Sequence, residues 1–282
     1  MSLPSLYRIP LRLPLGFALS VILSLSAAFA APTLSPDTSD PRAIMRAVEG
    51  QPEGDRSRGR IVMTIVDNAG RSRRRIVRSI AMNFAEGRRQ LMRFEDPEDV
   101  RGVSLLSVDY EDGDRDDLQW LHLPSLSRTS RISSGEKSGS FMGTDLSYAD
   151  MTEADIDHYD YRLVTQEVEV RGEPCWLIET RPRTERAREE TGYLKTHVWI
   201  SKTKLAPLQI KAWVIEGRRI KLIQFRNYER EGELWVAKLI LAQTRKGRNA
   251  ESSTRLEFTE LSFDNEQVTE ELFQQSRLEQ GF

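Results

Sequence analysis

From Gly59 onward the apolar residues of this chain recur with a dominant period of two, and clusters of Gly, Asn, Asp and Pro interrupt them at short intervals. Successive side chains of an extended strand point to opposite faces, so this period describes half-buried strands; an amphipathic helix would need three-and-four spacing. Ile61, Met63 and Ile65 alternate along one such segment. After the turn Asn68-Ala69-Gly70, Ile76, Ile80, Met82 and Phe84 share one face of the next, with Arg78 between them. These two segments predict a hairpin. Further extended segments follow at 90–94, 103–110, 118–123, 161–170, 175–180, 194–200, 208–215, 220–228, 234–244 and 254–263, separated by turn signals such as Arg171-Gly172-Glu173-Pro174 and Glu231-Gly232. The pattern predicts a mainly β (α+β) chain of about a dozen antiparallel strands.

The two ends of the chain read differently. Arg8 and Arg12, the mostly apolar run from Leu15 to Leu25 and the small-residue site Ala28-Phe29-Ala30 have the order of an export signal, with cleavage expected before Ala31. The run is short of the roughly 20 apolar residues that span a bilayer. Residues 31–40 read as a flexible leader. Asp40-Pro41 marks a helix start, with Ile44, Met45 and Val48 on one face and Gly50 and Pro52 as the stop. At the other end Val268, Leu272, Phe273 and Leu278 fit one face of a C-terminal helix, and Glu266, Glu270 and Glu271 suit its N-terminal dipole. Strands such as 193–200, with Leu194, Val198 and Ile200 opposite Tyr193 and Trp199, carry apolar groups on both faces, so one face can pack on helices while the other lines a cavity.

Without its first thirty residues the chain has 39 basic against 43 acidic residues, a net charge of about −4. A nucleic-acid binder would need the opposite balance. A single cysteine, Cys175, cannot form an internal disulfide, so the fold has to rest on its core. The three histidines, His122, His158 and His197, show no metal-ligand spacing, and no metal or cofactor is expected. Asp112, Asp114, Asp116 and Asp117 lack the central glycine and final glutamate of a calcium loop and read as a turn. Residues 155–160 read as a solvated loop, as does the mixed-charge stretch 181–190. Ser134-Gly135-Glu136-Lys137-Ser138-Gly139 lacks the glycines of a phosphate-binding loop. Arg71, Arg73, Arg74, Arg75 and Arg78 form a dense basic hairpin. Arg73, Arg75 and Arg78 are its candidate contacts for anionic headgroups or an acidic partner, against the reading of a solvated turn.

Residues 117–151 are the most specific stretch. Trp120, Leu123 and Pro124 end a strand, a basic Ser- and Gly-rich loop follows, and then comes Ser140-Phe141-Met142-Gly143-Thr144-Asp145, with Tyr148 and Asp150 beyond it. This arrangement resembles the periplasmic outer-membrane lipoprotein-sorting protein family, relatives of the lipoprotein carriers, in which a W-x-Y-L-P-like strand precedes an S-F-M-G-[ST]-D motif. His122 replaces the usual aromatic neighbour, the chain is longer than the simple carriers, and their Pro-Phe lid segment is absent. The resemblance extends loosely over the opening helix, the Met63 strand, the Arg-rich second strand and the closing strand.

The resemblance implies a half-open antiparallel β-barrel with an N-terminal helix, lid loops or helices and a C-terminal helix, forming one domain over residues 41–282. It implies that the apolar concave face holds acyl chains, that the chain is no enzyme, and that it works in the periplasm with an inner-membrane exporter of the resistance-nodulation-division type. Membrane contact would be peripheral or transient. A groove for acyl chains favours methionines, which adapt, and aromatics, which supply area. Met63, Met82, Phe84, Met92, Phe94, Trp120, Phe141 and Met142 are the candidate lining residues, although any β core of this size contains such side chains. Gly139 and Gly143 bracket Phe141 and Met142 as in a movable lid. A sensory or adaptor module that binds a partner protein through the same barrel remains an alternative.

Overall fold

A computed structural model describes residues 34–113, 115–152 and 155–282. The export-signal segment, its expected cleavage site and Asp114 lie outside the described residues. Helix α1 (Pro41–Glu49) begins as expected: the Asp40 carboxylate accepts from the backbone N–H groups of Arg42 and Ala43, and Pro41 takes the first turn. Gly50 ends it by donating to Arg46 and Val48.

Strands β1 (Arg56–Val66) and β2 (Ser72–Phe84) form the expected hairpin, with Met63 opposite Arg75 and Ile61 opposite Val77. Gly70, at φ +76°, closes the turn by donating to the Asp67 carbonyl. The chain continues through β3 (Gly87–Asp96), β4 (Ser104–Tyr110), β5 (Leu118–Leu123) and β6 (Arg128–Arg131), each beside the one before. It leaves the sheet for residues 132–158. It returns in β7 (Tyr159–Val170) and β8 (Glu173–Pro182), passes through helix α2 (Glu185–Thr191), and runs on through β9 (Tyr193–Ser201), β10 (Pro207–Val214), β11 (Arg219–Glu231), β12 (Leu234–Lys246) and β13 (Asn249–Phe263). β13 pairs back with β1, so thirteen antiparallel strands make one sheet in the order β6-β5-β4-β3-β2-β1-β13-β12-β11-β10-β9-β8-β7. The edge strands β6 and β7 are not neighbours, and the sheet is a mainly β half-barrel that does not close.

Four expectations need correction. The mixed-charge stretch 181–190, read as a loop, ends β8 and forms most of α2 with Ala187 buried, and residues 155–160 bury Ile156 and enter β7 at Tyr159. β6 lies where the sequence reads as loop: Arg128-Thr129-Ser130-Arg131 has no apolar residue, and its pairing with residues 120–123 of β5 makes it a strand. The C-terminal segment is not one helix. Residues 270–273 form a single 3-10 turn, Gln274 is extended, and α3 (Arg277–Gln280) is one short turn ended by Gly281. Breaking the helix lets Val268, Phe273 and Leu278 all reach Ile80, Met82, Leu91 and Leu106 on the sheet. Arg93 and Arg78 hold the segment in place by donating to the carbonyls of Leu278 and Phe282, both at 3.0 Å.

The sheet therefore has an inner face, carrying Met63, and an outer face, carrying Ile80. Residues 132–151 and α1 pack on the inner face. Ile44 of α1 is buried against Trp176, Ile178, Val198 and Ile200, and Val198 stands directly opposite Ile210, which also touches the cluster around Met63. The C-terminal segment packs on the outer face of β2 to β5.

Cys175 is buried, and burial pushes its thiol up to about 11. It is expected to resist maleimide in the native protein at about pH 8 and to react within minutes once urea unfolds the chain; mass spectrometry of the adduct checks this.

Glu179 is a buried carboxylate on the outer side of β8. Lys195 donates to it at 2.7 Å, His197 lies at 3.1 Å, Arg181 at 3.0 Å and Arg162 at 3.3 Å. These donors, Lys195 foremost, hold its carboxyl well below the ordinary carboxylate range. A depressed folded-state value contributes stability above the unfolded-state value near 4 and loses it as pH falls through the folded-state value. Glu179→Gln is therefore expected to lower stability by about 2 kcal/mol at neutral pH. The difference should shrink as pH falls below about 4, which denaturant midpoints across the acid range would show.

Candidate functional site

The inner face is apolar from β5 to β10. Met63, Val77, Met92, Phe94 and Leu105 are buried on it at one end, Leu256, Ala242 and Ile223 continue it across the middle, and Ile210 joins it to the cluster under α1. Cross-strand register explains the continuity. Val77 faces Phe94, Met63 faces Leu256, and Ile223 faces Ile210, so one parity of each strand supplies one face.

The motif loop fills this face instead of standing off it. Phe141 is buried with its ring 5.9 Å from Phe94 and 5.6 Å from Tyr148. Its backbone N–H donates to the Leu146 carbonyl at 2.8 Å, and the Thr144 hydroxyl donates to the Phe141 carbonyl at 2.7 Å. The loop turns through two left-handed residues, Met142 at φ +51° and Gly143 at φ +75°. Gly143 meets that need without strain. Met142 is half-buried and touches the inner-face cluster.

Two carboxylates pin the loop to the sheet. Asp145 is buried and accepts from the Thr244 backbone at 2.9 Å, from the Ser252 hydroxyl, and from the Thr254 hydroxyl at 2.8 Å. Asp150 accepts from the Lys221 ammonium at 2.7 Å and from the Tyr193 hydroxyl at 2.7 Å. Burial, with Asp150 beside it, pushes the Tyr193 phenol well above its ordinary value. Gln119 adds a third tie by donating to the Tyr148 carbonyl at 2.9 Å. The loop is thus a plug secured at several points.

The candidate lining residues separate into two groups. Met63, Met92, Phe94, Phe141 and Met142 meet on the inner face. Met82, Phe84 and Trp120 lie on the outer face under the C-terminal segment, where Phe84 meets Phe273 edge-on at 5.6 Å. Parity separates them: Val77 points inward, so Met82 and Phe84 of the same strand do not. The basic hairpin separates likewise. Arg75 faces inward, is buried, and donates to the Met142 carbonyl at 2.6 Å with its guanidinium 5.7 Å from the Phe94 ring centre, so it is no surface contact. Burial pushes its pKa down. Arg73 shares that face and is exposed, whereas Arg78 points outward to Glu95 and the Phe282 carbonyl.

The sequence reading missed Arg75, Lys221 and Thr254 as partners of the loop. A signal was present: Lys221 and Thr254 occupy inward positions in register with Ile223, Phe225, Leu256 and Phe258, and a polar residue in an apolar register needs a partner. The turn residues behave as read. Asp117 accepts from the Tyr110 backbone at 3.0 Å across the β4 to β5 connection, and Glu136 and Ser133 cap one another around residues 134–136. Burial raises the Asp117 carboxyl. A cavity of about 1040 Å³ opens at one end of the half-barrel, between α1, the β2 to β3 turn, the β4 to β5 connection and α2; its walls include Glu49, Arg88, Asp117, Lys137, His158 and Glu190. It is a polar mouth, distinct from the apolar face.

A family model described as an uncharacterized protein matches residues 86–280. The chain belongs to the family that this model describes. A DUF1329 family protein from Desulfovibrio piger is 26% identical, with a TM-score of 0.75 over 85% of this chain and 99% of its own. The chain is also similar to a domain from Vibrio parahaemolyticus assigned to outer membrane lipoprotein sorting, at 28% identity and a TM-score of 0.75 over 85% of this chain and 98% of that one. A LolA superfamily protein from Nitrosomonas europaea, 14% identical, shares the fold with a TM-score of 0.63 over 85% and 99% of the two chains. No curated protein matches the chain.

Proposed function

We propose that this protein is a periplasmic carrier of lipid or lipoprotein, holding acyl chains against the inner face of its half-barrel. The observation that carries the reading is the largely apolar inner face from β5 to β10, interrupted by Arg75, Lys221 and Thr254 and covered by a loop and a short helix. Each methylene buried there would gain about 0.8 kcal/mol, so a face that hides roughly ten of them could hold a chain that water rejects. Binding of this kind needs no catalytic group, and the protein acts as a carrier and not as an enzyme. Met63, Met92, Phe94 and Met142 are the lining residues this reading favours.

In the same reading residues 1–30 are a cleaved export signal, residues 41–282 are one domain, and the carrier moves between an inner-membrane exporter of the resistance-nodulation-division type and the outer membrane. The similarity to a domain assigned to outer membrane lipoprotein sorting supports this route. Native mass spectrometry of protein purified from the periplasm without detergent, followed by lipid extraction, tests it. A stoichiometric lipid or lipoprotein is the expected result. Protein that is empty, and that takes up no lipid from vesicles, would replace the carrier with a partner-binding module.

A further inference from the structure

The outer face of β8 to β10 differs from the rest of the molecule in charge and in cover. The helices that pack on the sheet lie elsewhere or at its margins: α3 on β4 and β5, α1 on β7, and α2 at the ends of β8 and β9. Register lines up Arg162, Glu179, His197 and Lys211 as one cross-strand row, with Lys195 opposite Trp213 beside it. Among the described residues, the ion pairs of Arg162, Arg181, Arg188 and Lys195 reach two carboxylates, the buried Glu179 and Glu185. With Lys211, and with the Arg183–Asp160 pair beside Arg181, six cations stand against three acids, a local excess of positive charge on a chain whose net charge is −2.

Apolar groups sit among those cations. The Trp213 ring lies 4.7 Å from the Lys195 ammonium and 4.6 Å from that of Lys211, and His197 packs against it at 4.7 Å. Leu194 is 47% exposed. Arg181, Arg188 and Lys195 rim a cleft of about 460 Å³ whose remaining walls are Pro182, Leu194 and Trp213. Indoles and snorkelling Lys and Arg side chains are the groups that settle at a membrane surface, and an anionic leaflet attracts such clusters. With Lys195 and Lys211 already at the Trp213 ring, the exposed Leu194 and the cation-rimmed cleft are what the surface offers. That suits a phosphate-bearing headgroup resting above the first carbons of its chains.

We propose that the outer face of β8 to β10 docks the protein on an anionic phospholipid surface, through Arg181, Arg188, Lys195, Lys211, Trp213 and Leu194. This docking does not depend on what the inner face holds. The test is flotation of the full-length mature protein with vesicles of phosphatidylglycerol and phosphatidylethanolamine, against vesicles of phosphatidylcholine. Arg181 and Lys195 neutralise Glu179, so the variants leave them in place. The double substitution Arg188→Glu with Lys211→Glu is expected to weaken flotation with the anionic vesicles at least about thirtyfold. Leu194→Asp, at an exposed position, is expected to weaken it as well. Arg71→Glu with Arg74→Glu, the same charge change on the β1 to β2 turn, is expected to leave it unchanged, and thermal melts establish that all variants fold. No binding to anionic vesicles, or equal losses from the two double substitutions, would overturn the proposal. So would an acidic protein that depends on Lys211 while vesicles bind nothing, and the face would then be a protein-docking surface.

Discussion

Asp145→Ala is expected to cost about 3–5 kcal/mol of stability, because it leaves a backbone N–H and two hydroxyls without their acceptor in a buried place. Thr244 and Ser252 are cross-strand partners on β12 and β13, and both donate to Oδ1; Thr254, two pairs further along on the same face, donates to Oδ2. The Thr254 hydroxyl also accepts from the Asp145 backbone at 2.9 Å, so anchor and loop hold each other twice. For a chain of this size the loss corresponds to a fall of roughly 10 °C in Tm. Asp145→Asn keeps one acceptor oxygen and should cost less than half as much. Thr254→Val alone should cost about 1–2 kcal/mol, and combined with Asp145→Ala it should add little, since both remove one interaction. Denaturant unfolding of the four proteins measures this coupling. Strictly additive losses would mean that the carboxylate does not anchor the loop through Thr254.

The strands of this protein are legible because each holds its period against a half-buried sheet. Ile61, Met63 and Ile65 need no information from elsewhere in the chain to be read as one face. β6 was not legible, because its four residues carry no hydrophobic signal and become extended only by completing the hydrogen bonds of β5. The C-terminal segment misleads for a related reason. Val268, Phe273 and Leu278 have helical spacing, yet what fixes the backbone is that all three must reach Ile80, Met82, Leu91 and Leu106, which a broken chain does better than one straight helix.

The candidate site was legible as a stretch and not as a geometry. Residues 140–145 stand out by type, and the similarity to a lipoprotein-sorting domain at 28% identity agrees with that reading. What sequence could not supply was the side of the sheet on which each apolar residue lies once β2 and β5 are placed in register. Met82 and Trp120 have the composition of a lining, but their parity turns them toward Phe273 and Leu278. The bonds that hold the motif loop join residues between 43 and 109 positions apart, Asp145 with Thr254 and Asp150 with Tyr193 and Lys221, and no local pattern records such a pairing.

Phe141 and Met142 are adjacent and apolar, yet opposite results are expected from them. A movable lid would tolerate aspartate at both positions, and the buried place of Phe141 removes that expectation. Phe141→Ala should cost about 3–5 kcal/mol as a large buried aromatic lost from between Phe94 and Tyr148, and Phe141→Asp should cost more, because a charge would enter the same space unpaired. Met142→Asp should change stability by less than about 1 kcal/mol. Met142 is half-buried, and its left-handed backbone suits a short polar side chain better than a methionine. The pair therefore separates folding from cargo. If acyl chains slide between the loop and the inner face, they pass Met142 first, and Met142→Asp should retain less lipid in detergent-free preparations while its urea midpoint stays at the native value. Full retention by that variant would remove Met142 from the lining. A large loss of stability would mean that its side chain belongs to the core along with Phe141, and the route for cargo would then have to be sought along β10 and α1.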